Sequence, residues 1–451
     1  PPLVPLLAAA LYALGAHTWL VRLPAVVAAT ALVWLTARFA RMLGGGSAAQ
    51  SAAALAALAA PMLCGLTATL NTTTLEPLAW TAVAYLLARA QLDDDRRALL
   101  GAGLVAGLAL EAKYALGVWL LALGAGIALT GARQLYARRE LWLGLALTVI
   151  LALPSVLWQA AHGWPFVELV HNAGAKNVAA SPLGALANQV LVMDPLFAPL
   201  WLAGIAAPFV RRDLAAARFL AIAFLGVAAV LLATPAAKDY YLAAAYPTVF
   251  AIGAVAFEHA VRNAFARAAY LAAAVVVGAI GWPLALPILD PPILIAYERA
   301  IHLAPVSQER VAAAPLPSTF ADMLGWHDFT GQVAAAWRAI PARERGATSI
   351  LVDNYGEAAA LDAYGGPYGL PPALSGHNEY YLWGLRGERA VNVLRVQVHV
   401  ERLRRYCRTV RVLGTTFSRY AMPYENGQSI AFCEHVAPPL RTVWPRLKSY
   451  E

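Results

Sequence analysis

Lys238, Asp239, Tyr240 and Tyr241 stand in a row at the head of an apolar stretch that runs on as Leu242-Ala243-Ala244-Ala245-Tyr246-Pro247. An ammonium beside phenols can hold an anionic group, and a carboxylate within reach can carry a proton. Lysine in hydrocarbon costs about 2 to 3 kcal/mol at full depth, so its surroundings must supply a partner, water or an anion. The plainer reading is an interfacial anchor: Lys238 snorkels, the tyrosines join an aromatic belt and Asp239 neutralises its neighbour. Glu76, in Asn71-Thr72-Thr73-Thr74-Leu75-Glu76-Pro77, is either a carboxylate facing a cavity or a first-turn glutamate favoured by the helix dipole. Glu111 and Lys113 share the turn Leu110-Glu111-Ala112-Lys113-Tyr114, where they could simply pair with one another. His162, Glu168, His171 and Lys176 sit in a loop rich in aromatics, where a lone histidine is more often a hydrogen-bonded filler than a ligand. A basic group beside aromatic rings at a membrane face would also suit a lipid phosphate.

These residues need elements to carry them, and composition names the class. The chain has 451 residues, 60% of them hydrophobic and 13% charged, with a mean hydropathy of +0.58, which is the balance of an integral membrane protein. A net charge of +8 raises nucleic acid as a partner, but residues 1–287 hold 17 Lys/Arg against 11 Asp/Glu, mostly in short loops between apolar runs. That pattern is topology, and no nucleic-acid partner is expected.

After a short segment, Pro1 to Ala16, that fits an interfacial helix, about ten apolar runs follow, from Leu20–Met42 to Ala268–Leu286. Alternate connections carry thirteen arginines, among them Arg38, Arg96, Arg138, Arg211 and Arg262, while the other set carries only Arg22, Lys113, Lys176 and Lys238. The arginine-rich side should be cytoplasmic, which places Asn71, Glu76, Glu111, Lys113, the loop from Ala160 to Ser181, Asp194, Lys238 and everything after Leu286 outside. Residue 1 is a proline, with no signal-peptide pattern, and an outside start implies a helix upstream; the chain reads as truncated at its N-terminus.

Residues 288–451 change character, with short strands such as Ser349–Asp353, Arg408–Leu413 and Ser429–Cys433 between Gly/Pro turns, the pattern of a soluble α/β domain. Its Cys407 and Cys433 are a disulfide candidate in an oxidising compartment, with two buried thiols as the alternative. No Walker loop, His-Glu-x-x-His or Gly-x-Ser-x-Gly occurs, and Gly101, Gly103 and Gly107 within one run mark close helix packing.

The segments PPLVPLL, VRLPAVVAA, NTTTLEPLAW, LALEAKYAL, LPSVLWQAAHGWPFVELVHN and KDYYLAAAYPTVFAIGAVAFE, in that order, resemble the bacterial branch of the dolichyl-phosphate-mannose protein mannosyltransferase superfamily. That branch includes the glycosyltransferase family 39 proteins and the aminoarabinose transferases acting on lipid A, all of the GT-C fold. The tail segments DNYGEAAALDAYG, GLPPALSGHNEYYLWG and AMPYENGQSIAFC are similar to the extracytoplasmic domain of a bacterial subset.

The resemblance implies a multi-pass bacterial inner-membrane protein of about ten transmembrane helices, residues 1–287, followed by an extracytoplasmic α/β domain, 288–451. It implies transfer of a sugar, with inversion, from a polyprenyl-phosphate donor to an envelope glycan, lipid or protein outside. Glu76 matches the family's second acidic position, Lys238 and Tyr241 its donor-phosphate turn, His171 a polar place beside the donor, and Lys176 stands loosely for a nearby arginine. Glu111 and Lys113 match a short polar turn of the cavity. The family's main catalytic carboxylate is expected upstream of Pro1. Some relatives hold a divalent metal and others none; none is expected here. A transporter or flippase, and a degenerate glycan-binding scaffold, are the alternatives. The charges lie on one face and no internal repeat is evident, which favours the transferase.

Overall fold

A computed structural model describes residues 1–15, 17–178, 181–234, 237–303, 309–387, 391–397 and 399–450. The chain divides into two compact units, Pro1–Trp164 with Ala179–Ile288, and Pro165–Val178 with Leu289–Glu451. The segment 165–178, read from sequence as part of the membrane region, therefore belongs with the second unit.

The first unit is helical: α1 (Leu3–Leu14), α2 (Thr18–Met42), α3 (Ser47–Ala59), α4 (Pro61–Leu66), α5 (Glu76–Leu92), α6 (Arg96–Leu110), α7 (Leu116–Ala128) and α8 (Arg139–Ala161). After α9 (Pro165–Lys176), counted with the second unit, come α10 (Pro182–Val192), α11 (Ala198–Val210), α12 (Arg218–Ala233), α13 (Tyr246–Ala260) and α14 (Ala264–Ala285). Each apolar run becomes helix, but among the described residues five helices are long and apolar enough to cross a membrane, or seven if two bent pairs each count as one span. The expected ten is not reached by length because α5, with 17 residues, and α6, with 15, are short and other runs break. Pro61 divides the run from Ala48 into α3 and α4, and Asp194-Pro195 bends α10 from the following helix by 99°. The run from Ala115 ends at Ala128, and the next turn leaves at 108°.

Burial sorts the helices. On α13, Tyr246 through Val255 are all buried, so this apolar helix is the centre of the unit. On α8, Leu145, Val149, Ile150, Leu153 and Val156 are exposed, the expected face toward hydrocarbon. Backbones come close where glycine removes a side chain. A Cβ at Gly253 would lie 1.8 Å from the Leu200 carbonyl oxygen, and one at Gly103 would lie 2.1 Å from that of Gly144. Glu258 accepts from the amides of Gly46 (2.6 Å) and Ala48 (3.1 Å), tying α13 to the start of α3.

The second unit holds α9, α15 (Pro291–Ala300), α16 (Ser318–Ala321), α17 (Trp326–Ala339), α18 (Ala342–Arg345) and α19 (Tyr355–Tyr364) around a five-stranded sheet. Its strands are β1 (Thr348–Val352), β2 (Ala373–Ser375), β3 (Asn392–Val396), β4 (Cys407–Thr415) and β5 (Ser429–Val436), in the order β2-β1-β3-β5-β4. β1 pairs in parallel with β2 and β3, while β5 pairs antiparallel with β3 and β4. The all-buried β1 is what a central strand covered on both faces requires. Cys407 and Cys433 form a disulfide joining the two antiparallel strands, with Cα atoms 5.4 Å apart. α9 is stitched to this unit by Lys448 on Glu168 (2.5 Å), Asn172 donating to the Tyr450 carbonyl (2.5 Å) and Lys176 beside Glu309 (3.4 Å).

Candidate functional site

Three short segments of the first unit meet. The first is the start of α5, built by its own polar residues. Asn71 accepts from the amide (2.8 Å) and the hydroxyl of Thr73, and Thr74 donates to the Thr69 carbonyl (2.6 Å), so the loop turns sharply and delivers Glu76 into the first helical turn. The second is the turn between α6 and α7. It stays coiled, the amides of Ala112 and Lys113 both donating to the Ala109 carbonyl, and it carries Lys113 outward. The third is a 3₁₀ turn, Asp239–Ala245, leading into α13.

At their meeting point Lys113 Nζ donates to Glu76 Oε2 at 2.7 Å. The same ammonium lies 5.2 Å from the ring centre of Tyr240 and 5.6 Å from that of Tyr241, two rings set edge to face. A hollow beside the pair is lined by Leu75, Glu76, Ala79, Trp80, Ala112 and Lys113, among others. Trp80 stacks on Trp119, whose indole donates to the Trp80 carbonyl at 3.1 Å. The arrangement is a cation held by a carboxylate at the rim of an apolar cavity. Part of its charge is already answered, and the rest can meet an anion.

The sequence candidates fall into three groups. Glu76, Lys113 and Tyr241 are brought together, and Lys238 opens the same turn, its carbonyl accepting from the Tyr241 amide at 3.0 Å. Glu111 turns elsewhere: Ser155 Oγ of α8 donates to its Oε2 at 2.5 Å, so pairing of Glu111 with Lys113 across their turn is not what forms. His171 and Lys176 lie on α9 in the second unit, where His171 is exposed and Lys176 faces Glu309. Asp239, read as a neutraliser of Lys238, accepts a hydrogen bond from Asn188, while Gln189 donates to its carbonyl at 2.9 Å. His162 is exposed and stacks on Trp158. Among the described residues no group of three or more His, Cys, Asp or Glu is placed to hold a metal ion.

Sequence reasoning gave no role to Trp80, Asn188 or Ser155, and placed Tyr240 only as a phenol or belt aromatic beside Lys238. Tyr240 and Trp80 stood inside the quoted segments, where an aromatic beside a polar residue was the only signal. Asn188 and Ser155 gave none, being ordinary helix residues until packing assigns them partners.

The fold is that of a polytopic helical membrane protein of the GT-C type with a C-terminal α/β unit. Residues 1–158 match the family model described as dolichyl-phosphate-mannose-protein mannosyltransferase. The chain is similar in fold to ArnT from Cupriavidus metallidurans in the crystal structure bound to undecaprenyl phosphate, with a TM-score of 0.60 and 13% identity over 96% of this chain and 87% of that one. The apo crystal structure of the same protein gives 0.58 and 14% over the same shares. No curated protein sequence matches the chain.

Proposed function

We propose that this chain is a bacterial inner-membrane GT-C glycosyltransferase that moves a sugar from a polyprenyl-phosphate donor to an extracytoplasmic glycan, lipid or protein, with inversion. Support comes above all from one observation: Lys113 Nζ is held 2.7 Å from Glu76 beside the Tyr240 and Tyr241 rings at the rim of an apolar hollow. The N-terminal family match and the likeness to ArnT bound to undecaprenyl phosphate point the same way.

Departure of the donor phosphate from the anomeric carbon builds negative charge on its oxygens, and a preorganised ammonium and phenol lower that charge's energy in a site poor in water. Lys113, Lys238 and Tyr241 supply those groups in our reading. Glu76 keeps Lys113 in place and orients the reactants. The acceptor's proton goes to a carboxylate in such a transfer, with the acceptor oxygen bonding to the carbon face opposite the leaving phosphate. No metal is assigned. The outer face offers no nucleotide sugar, so a lipid carrier is the practical donor.

The test is sugar transfer by the full-length protein in nanodiscs, with the donor a polyprenyl-phosphate-linked sugar. Lys113→Ala and Lys238→Ala should each lower transfer by about tenfold or more, the share of one charged hydrogen bond. Undiminished transfer in both would remove the phosphate-binding role, and lipid translocation without transfer would favour a flippase.

A further inference from the structure

We propose that Glu111 and Ser155 are positioning residues for Lys113, an inference that rests on the donor-phosphate reading above. One face of α8, spaced 144, 148, 151 and 155, runs along α6 at 99, 103, 107 and 111. Gly144 meets the backbones of Leu99 and Gly103, Thr148 donates to the Gly103 carbonyl at 3.0 Å, and Leu151 fills the space over Gly107. Ser155 Oγ on Glu111 Oε2, at 2.5 Å, closes this seam at its last rung.

That rung sits where α6 ends. Glu111 caps the helix, is 9% exposed, and lends its carbonyl to the Leu3 amide at the start of α1, 2.9 Å away. Two residues on, Lys113 reaches Glu76 and the tyrosines. Among the described residues Glu111 Oε1 is buried with no hydrogen-bond partner, an unfavourable arrangement for a carboxylate oxygen. The carboxylate's other oxygen is the one that meets Ser155. What matters is an acceptor oxygen at this place, since the partner is a neutral hydroxyl. α8 thus reaches Lys113 through the turn that carries it.

The experiment measures binding of undecaprenyl phosphate, with no sugar attached, to the full chain in nanodiscs, alongside its thermal midpoint. Ser155→Ala should weaken binding about fivefold, an indirect share of one hydrogen bond to a charged group, with a midpoint that drops slightly at most and stays well above the assay temperature. Glu111→Ala should do the same or worse, and Glu111→Gln, which keeps an oxygen for Ser155, should bind within about twofold of the parent. In a Lys113→Ala background Ser155→Ala should add nothing, because both act through the same ammonium. Parent-like binding by Ser155→Ala overturns the proposal, as does a loss that adds in full to that of Lys113→Ala. Failure of the underlying reading looks different: Lys113→Ala itself would bind as the parent does, and the proposal would fall with it.

Discussion

Glu357 shows how much one side chain can owe to its surroundings. It is wholly buried at the first turn of α19, where it accepts from the amides of Asp353 (2.8 Å) and Asn354 (3.1 Å), and Asn354 accepts from the Glu357 amide in return. Burial and the nearby Glu425 carboxylate push its carboxyl up to about 8, with hydrogen bonds and Arg395 opposing. Glu425 is raised as well, chiefly by burial, and is held by Asn354 (3.0 Å) and Gln397 (2.8 Å). The folded unit therefore keeps a proton that the unfolded chain releases near 4.5. Below that pH both states are protonated and stability is level. Between there and about 8 each step up in pH lowers the stability of the second unit, and above 8 it levels again. Hydrogen-exchange protection of β1 and α19, corrected for intrinsic rates, should be greater at pH 6 than at pH 8.5, and Glu357→Gln should flatten the difference while keeping the cap's acceptor.

Helices and strands carry the next constraints. α11 and α13 touch through backbone, so Gly253→Ala places a methyl against the Leu200 carbonyl and should cost about 1 to 3 kcal/mol by overpacking. Gly117→Ala on α7, with open space around it, should leave the thermal midpoint level or raise it, which separates crowding from any general effect of alanine. In the sheet, the disulfide spans 26 residues between β4 and β5, and Cys407→Ser with Cys433→Ser should cost about 3 kcal/mol, read from exchange across β3, β4 and β5. The reading of Gly103 and Gly107 as packing marks holds, against Gly144 and Leu151, while Gly101 makes only ordinary contact with Leu86.

The molecule as a whole is organised by charge and hydropathy. Arg89 pairs with Asp95 (2.9 Å), Arg138 with Asp94 (2.5 Å) and Arg211 with Asp213 (2.7 Å), so the arginine-rich connections also hold the acids near them. We expect that face to be cytoplasmic. In a Cys64→Ala background, a cysteine at Thr72 should react with a membrane-impermeant maleimide added to intact spheroplasts, and one at Arg138 only after lysis. The reverse pattern would invert the assigned topology and with it the side on which transfer takes place.

Hydropathy and residue type are properties of short windows, and they alone determined that this chain is a polytopic membrane protein with a C-terminal α/β region, and that Glu76, Lys113 and the Lys238–Tyr241 turn were worth watching. Which of those groups touch was decided by tertiary packing, because a partner depends on the register of one helix against another. Lys113 meets Glu76 across 37 positions and Ser155 meets Glu111 across 44, separations over which no local pattern carries information. The same holds for Asp239, claimed by Asn188 of α10, and for the segment 165–178, whose membership in the second unit follows from contacts with Glu309, Lys448 and Tyr450 far along the chain.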